Sequence, residues 1–143
     1  MKNIKLVTAG IILSFFTLLS SQENGDLAEV ELLSSMSQQQ AQFQLNAIFG
    51  SVAPTAEYDI SVYRIEYHTI DPLGEPTVAS GSIAFPQDPQ TAFPILSYQH
   101  GTEVLRDDVS SVYGFDAINM WLSATGFITV SPDYLGLGIS EML

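Results

Sequence analysis

The chain has 143 residues, which suits one globular domain, and its 46% hydrophobic content excludes general disorder. Sixteen acidic residues against four basic ones give a net charge of −12, which argues against nucleic acid as a partner. The sequence contains no cysteine, so disulfides, thiol catalysis and thiolate metal sites are excluded.

Residues 1–21 have the order of a signal peptide. Lys2 and Lys5 precede an apolar run over residues 6–19, and small serines come before an acidic, polar stretch. The apolar run is shorter than the roughly 20 residues that a membrane-spanning helix needs. We therefore expect export to the periplasm or the extracellular space, with no stable membrane span once this leader is removed.

Residues 22–57 are predicted to form an N-terminal helical segment. Apolar side chains recur at helix-compatible spacing, and Gly50 and Pro54 then end the pattern. The apolar positions are Leu32, Met36, Phe43 and Ala47.

A β-hairpin is predicted at the start of residues 58–143. Residues 58–70 alternate between the two faces of a strand, and residues 71–76 supply the Pro and Gly of a turn. Residues 78–85 then read as a second strand, so the two strands are expected to pair antiparallel.

A buried strand over residues 95–98 comes next, followed by a helix over 115–125 and another strand over 127–130. Gly126 closes the helix at the usual C-terminal position. Strand, helix and strand in succession predict a parallel crossover. The fold class is therefore α/β, with an antiparallel hairpin leading into a parallel β-α-β layer.

Polar motifs follow both buried strands, at the sheet edge where α/β proteins bind ligands. The first motif is Ser97-Tyr98-Gln99-His100-Gly101-Thr102, and the second is Ser131-Pro132-Asp133-Tyr134-Leu135-Gly136-Leu137-Gly138. The second lacks the third glycine of a dinucleotide-binding loop, so no nucleotide cofactor is expected.

A metal site is a further alternative near the first motif. His100, Glu103, Asp107 and Asp108 carry suitable donor atoms, but one histidine with mobile acids is a weak cluster. We expect neither a metal nor a cofactor. His68 stands alone in a strand and is given no role.

These two motifs, with Ala79-Ser80-Gly81 in the hairpin and the order of the elements, resemble the start of the α/β-hydrolase fold. The resemblance is closest to exported esterases of the secretory lipase group and covers residues 58–143. It implies an incomplete sheet and a parent enzyme that hydrolyses small-molecule or lipid esters with a Ser-acid-His triad.

The resemblance also implies roles for individual residues. Gly101 and Thr102 would form the oxyanion loop, with the N–H of Thr102 as the leading donor and that of Glu103 as the alternative. His100 would hold this loop by hydrogen bonding rather than act as the base. Asp133 and Tyr134 would contribute to the substrate pocket, the Asp by fixing loop geometry and the Tyr by lining the pocket.

The G-x-S-x-G nucleophile elbow does not occur in the chain. Ser82 and Ser140 have neither the second glycine nor the strand-to-helix turn of such an elbow. We therefore expect the nucleophile, acid and base beyond Leu143, so that the chain is an N-terminal fragment, inactive alone, with an exposed edge at residues 94–98.

The alternative belongs to another functional class. A complete small exported binding or interaction protein could use the same half fold and finish its sheet by dimerising. The sequence leaves the oligomeric state open.

Overall fold

The computed structural model describes residues 23–114 and 116–141. The predicted signal peptide, Phe115 at the start of the predicted helix, and Leu143 lie outside the described residues. No helix within the described ranges is long and apolar enough to span a bilayer.

The described residues form one five-stranded sheet and three α-helices, with strand order β1-β2-β3-β5-β4. Neighbouring strands are antiparallel except β4 and β5, which are parallel. The strands are β1 (Leu27–Met36), β2 (Ile60–Ile70), β3 (Pro76–Pro86), β4 (Ile95–Ser97) and β5 (Ile128–Pro132). The helices are α1 (Gln38–Phe49), α2 (Ser110–Tyr113) and α3 (Ala117–Ala124), and a 3-10 turn spans Gly50–Val52.

The predicted hairpin is confirmed by β2 and β3, which pair along their full lengths. Asp71 closes the turn, since its Oδ1 accepts hydrogen bonds from the N–H groups of Leu73 and Glu75, both at 2.8 Å. Gly74 supplies the positive φ that this turn requires, at +89°.

The helix predicted for residues 22–57 is wrong in its first half. Residues 27–36 form β1, which runs antiparallel along β2, and only residues 38–49 form a helix. Val30 and Leu32 lie opposite Ile65 and Tyr63, so the apolar side chains of β1 extend the apolar face of β2. β1 therefore belongs to the same sheet as the hairpin.

The parallel layer is confirmed by β4, α3 and β5. Asp116 caps α3, because its Oδ1 accepts from the N–H groups of Ile118 and Asn119 at 2.9 and 2.8 Å. The α/β class, with an antiparallel hairpin leading into a parallel layer, is the fold that the structure has. The short helix α2 was not predicted from the sequence.

The helices cover one face of the sheet. α1 and α3 pack together over the end of β2, where Leu45, Ile60, Met120 and Ala124 are buried. Towards β3 and β5 the same face is lined by small polar side chains instead of aliphatic ones. Ser131 Oγ donates to Asn119 Oδ1 at 2.8 Å, and other buried hydroxyls in this layer belong to Ser82, Ser123 and Thr129.

The opposite face of the sheet is apolar. The strand register brings Val30, Ile65, Ile83, Val130 and Ile95 to this side. Hydrogen bonds place α2 and α3 on the other side, through Ser110 to Ser82 and Ser123 to Thr129. None of the described helices covers this second face.

Candidate functional site

Two loops meet at the carboxyl ends of β4 and β5. The loop after β4 begins at Tyr98, and the loop after β5 begins at Asp133. Residues 100–104 of the first and 134–137 of the second line an open groove of about 590 Å³. Parallel strands bring their carboxyl ends to the same edge of a sheet, so the two sequence motifs are neighbours in space.

Gly101 and Thr102 lie on the exposed wall of this groove. Within the described part of the chain, the N–H groups of Thr102 and Glu103 donate to no other residue. Gly101 does not have the positive φ that only glycine adopts easily, and a Cβ there would meet open space. Gly101 is therefore not required here by backbone conformation or by space, and the groove beside it has room for a ligand.

His100 holds the loop after β4 through three neighbours. Its Nδ1 lies 2.8 Å from the carbonyl oxygen of Gly101, and its Nε2 lies 3.3 Å from that of Asp133. The imidazole packs on the Tyr134 ring, with centroids 4.3 Å apart and planes tilted by 30°. Either neutral tautomer carries one N–H and donates to one of these two carbonyls, and together with the stacked Tyr134 ring this contact places the imidazole to brace the loop.

Asp133 lies beneath the groove and not on its wall. Its side chain has no exposed area. Oδ2 accepts from Ser80 Oγ at 2.5 Å, and Oδ1 from the Ser111 N–H at 3.4 Å. Ser80 Oγ in turn accepts from the Ile139 N–H at 3.1 Å. Asp133 therefore fixes loop geometry from below the groove.

Tyr67 on β2 lies near the Asp133 carboxylate. Burial of the Tyr67 phenol, and secondly the nearby Asp133 carboxylate, raise the pKa of Tyr67 above its usual value of 10.0. A phenolate formed there would be poorly hydrated and would repel the carboxylate. Tyr67 is therefore a neutral neighbour of this buried acid at physiological pH.

Tyr134 lies on the opposite wall of the groove and is partly exposed, at 38%. Its hydroxyl donates to the His100 carbonyl oxygen at 3.2 Å. It has a φ of +66°, the only positive φ of a non-glycine residue in the described ranges. The expectation that Tyr134 lies at the pocket agrees with this position, and its role in binding stays a prediction.

Arg106 was missed by the sequence analysis. Its Nε donates to the Gly138 carbonyl at 2.8 Å, and its Nη2 to the carbonyls of Ile139 and Ser140 at 3.0 and 2.8 Å. The Gly138 N–H returns a bond to the Arg106 carbonyl at 2.9 Å. In the sequence, Arg106 stands out only as one of four basic residues. Its hydrogen-bond acceptors could not be predicted, because they depend on how the loops after β4 and β5 pack together.

A second cavity of about 290 Å³ lies between the loop after β4 and the first turns of α2 and α3. Two of its three carboxylates have partners, since Asp116 caps α3 and Asp108 Oδ1 accepts from the Tyr113 hydroxyl at 2.6 Å. No three His, Asp or Glu side chains in the described ranges come together as a metal site.

Solved structures with a similar fold are hydrolases. A proposed hydrolase from Legionella pneumophila superposes with a TM-score of 0.70 and 37% identity over 81% of this chain. The rice cell wall degrading esterase LipA from Xanthomonas oryzae superposes with a TM-score of 0.68 and 29% identity over 83% of it. The chain forms part of an α/β-hydrolase fold.

This partial hydrolase fold spans 32% of the Legionella protein and 31% of LipA, about a third of each. No protein-family model and no curated protein matches the sequence. The resemblance inferred from the two motifs is thereby confirmed at the level of fold.

Proposed function

We propose that this chain supplies the oxyanion loop of an exported serine ester hydrolase whose substrates are small-molecule or lipid esters. The observation that carries the proposal is a pair of backbone N–H groups, at Thr102 and Glu103, on the wall of a groove at the carboxyl ends of β4 and β5. Neither N–H donates to any residue in the ranges that the structure describes. The similarity to LipA, an esterase, supports the reaction class.

The chemistry follows from charge. When a serine hydroxyl attacks an ester carbonyl, its proton passes to a histidine and negative charge collects on the carbonyl oxygen. A fixed N–H directed at that oxygen stabilises the tetrahedral intermediate more than the uncharged ester. We assign this role to the N–H of Thr102, with Glu103 as the second donor. The serine, acid and histidine would come from outside these 143 residues.

Export is the second part of the proposal, and the order of charged, apolar and small residues in positions 1–21 supports it. N-terminal sequencing of the protein from the culture fluid or periplasm tests it. A mature protein that begins near residue 22 is expected, whereas a cell-associated protein that keeps Lys2 and Lys5 contradicts export.

The catalytic test compares three variants of the protein encoded by the whole reading frame. Thr102→Ala keeps the backbone N–H, so hydrolysis of p-nitrophenyl butyrate should stay within about threefold. Thr102→Pro removes the N–H, and we expect kcat to fall by about 100-fold or more. Glu103→Pro removes the N–H of the second donor and tests its contribution to kcat. Circular dichroism checks that each variant is folded.

Absence of ester hydrolysis by the unaltered protein, or full activity of both proline variants, contradicts the proposal. The 143-residue chain serves as a control and should show no hydrolysis above the buffer rate.

A dimerising binding protein remains the alternative, because one observation favours it. β4 is the last strand of the sheet in the described residues, and Ile95 at its start is 72% exposed. A second copy could pair with this edge. A discrete dimer without ester hydrolysis from the whole reading frame would support this function instead.

A further inference from the structure

The second residue of the loop after β5 has an unfavourable backbone conformation. Tyr134 has a φ of +66°, where the Cβ of an ordinary L-residue crowds the backbone. Glycine or asparagine would adopt this conformation more readily. What tyrosine adds is a ring against His100 and a hydroxyl that reaches the His100 carbonyl. Strain at a groove wall, compensated by contacts with the facing loop, suggests a functional constraint.

We propose that Tyr134 is a positioning residue that sets the direction of the Thr102 N–H through His100. The inference rests on the proposed function of the oxyanion loop and names the residue that holds it in shape.

The first link is the His100 imidazole. Tyr134 packs on one side of the ring at a centroid distance of 4.3 Å, and the Asp133 carbonyl lies 3.3 Å from Nε2. Asp133 itself is anchored below by Ser80. The plane and position of the imidazole are therefore set by two consecutive residues of the loop after β5.

The second link is the peptide plane. The Nδ1 of His100 is 2.8 Å from the carbonyl oxygen of Gly101. That oxygen and the N–H of Thr102 belong to one planar peptide unit and point in opposite directions. In the tautomer that carries its proton on Nδ1, His100 donates to this oxygen, and holding the oxygen towards the imidazole directs the Thr102 N–H away from it. The bond from Tyr134 Oη to the His100 carbonyl fixes the preceding peptide in the same way.

The far end of the loop is tied down as well. Arg106 donates three hydrogen bonds to the carbonyls of residues 138–140, which closes the loop that carries Tyr134. A planar guanidinium with several fixed donors can hold consecutive carbonyls in a way that a single ammonium group cannot. The loop after β5 can thus act as a rigid support.

The test uses the protein encoded by the whole reading frame, labelled with ¹⁵N. Tyr134→Phe removes only the hydroxyl, and Tyr134→Gly removes the ring while suiting the positive φ. Tyr113→Phe is the matched control, because the Tyr113 hydroxyl bonds to Asp108 and not to the oxyanion loop. We measure the amide chemical shifts and order parameters of residues 101–103, together with the melting temperature.

For Tyr134→Gly we expect the order parameter of the Thr102 amide to fall from the rigid range of about 0.85 to below about 0.6. Tyr134→Phe should shift the Gly101 amide and leave the ring contact in place. Tyr113→Phe should leave all three amides unchanged. A purely structural role for Tyr134 would lower the melting temperature without this local loosening.

Activity of the whole protein gives the second readout. Tyr134→Phe should lower kcat several-fold with KM unchanged, because a misdirected N–H weakens only the transition state. If the unaltered protein hydrolyses no esters, the proposed function fails and the amide measurements alone decide the inference. If residues 101–103 are unaffected by both Tyr134 variants, or loosen without any change in kcat, the positioning role is overturned while the oxyanion assignment stands.

Discussion

Asp133, Ser80 and Gly138 meet at one buried point below the loop after β5. The Asp133 carboxylate and the Ser80 hydroxyl are hydrogen-bonded and fully buried, and the backbone of Gly138 passes directly over them. Gly138 has a φ of +59°, and a Cβ at this position would overlap both Ser80 Oγ and Asp133 Oδ2. Two independent constraints, conformation and space, thus require glycine here, whereas Gly101 meets neither.

The first prediction contrasts these two glycines. Gly138→Ala should lower the free energy of unfolding by about 3 kcal/mol, the combined scale of a left-handed L-residue and of overpacking. Gly101→Ala is the control and should change it by less than about 0.5 kcal/mol, as at an open surface site. Urea denaturation of the 143-residue chain, at a protein concentration low enough to keep it monomeric, measures both. Equal midpoints for the two variants would show that the buried Asp133 pair can move aside.

The second prediction concerns the Tyr113 phenol. Its hydrogen bond to the Asp108 carboxylate raises the pKa of Tyr113 above 10.0, and desolvation and the charges of Asp108, Glu103 and Asp107 add smaller effects in the same direction. The pair therefore contributes its stability below pH 10 and loses it as the pH rises through the folded-state pKa. Asp108→Asn should bring the pKa of Tyr113 back towards 10.0, as followed by ¹³C NMR of labelled tyrosine.

Asp107→Asn is the control for this titration, since Asp107 acts on Tyr113 only through its charge. It should lower the pKa of Tyr113 by less than Asp108→Asn does. An equal effect of the two substitutions would mean that the 2.6 Å hydrogen bond is not the main cause.

The sequence could predict which motifs gather at the groove but not how they connect. His100, Thr102 and Tyr134 follow β4 and β5. Because the crossover makes these two strands parallel, all three residues lie at the same edge of the sheet. The partners of Arg106 and the burial of Asp133 depend on how two loops fold against each other. A loop residue with polar acceptors far along the chain leaves no periodic signal.

At the scale of elements, the boundary between β1 and α1 shows why the helix prediction began too early. A long window over residues 22–57 finds helical spacing, but Glu29-Val30-Glu31-Leu32 alternates with the period of a strand. Pairing with β2 then decides the outcome. The start of α1 has its own sequence signal, since Ser37 and Gln40 form a capping box.

The third prediction tests this cap. Ser37 Oγ accepts from the Gln40 N–H at 3.3 Å, and the Ser37 N–H donates to Gln40 Oε1 at 2.9 Å. Ser37→Ala should lower the free energy of unfolding by about 1 kcal/mol. Gln39→Ala, on the exposed first turn of the same helix, should change it little. If both variants unfold at the same urea concentration, the box does not contribute to the start of α1.

The whole molecule has a sheet with two unlike faces. The face under the helices is lined near β3 and β5 by buried hydroxyls of Ser82, Thr129 and Ser131. Ser82 and Ser131 hydrogen-bond to the Asn119 amide, and Thr129 accepts from Ser123. The other face is apolar, and Val30 and Leu32 on β1 each remain 53% exposed. The hairpin, the parallel crossover and the α/β class were predictable because they follow from periodicity and connection, whereas β1 was predicted as helix and its place in the sheet was not foreseen. The polar filling was not, because serine and threonine carry no periodic signal for a buried layer.

The last prediction follows from this open face and from the edge at β4. In water, the isolated 143-residue chain should bind a hydrophobic dye and associate through its edge, because unpaired strand groups and apolar area attract further copies. Ile95→Lys places a charge on that edge and should weaken association by tenfold or more, as measured by light scattering. Leu73→Lys, in the 79% exposed hairpin turn away from β4, is the matched control and should leave association unchanged. Open-ended oligomers that Ile95→Lys disperses agree with a sheet that the rest of a hydrolase covers, whereas a discrete dimer that it splits agrees with the binding protein. A chain that stays monomeric and binds no dye contradicts both, since neither the edge nor the apolar face would then be available.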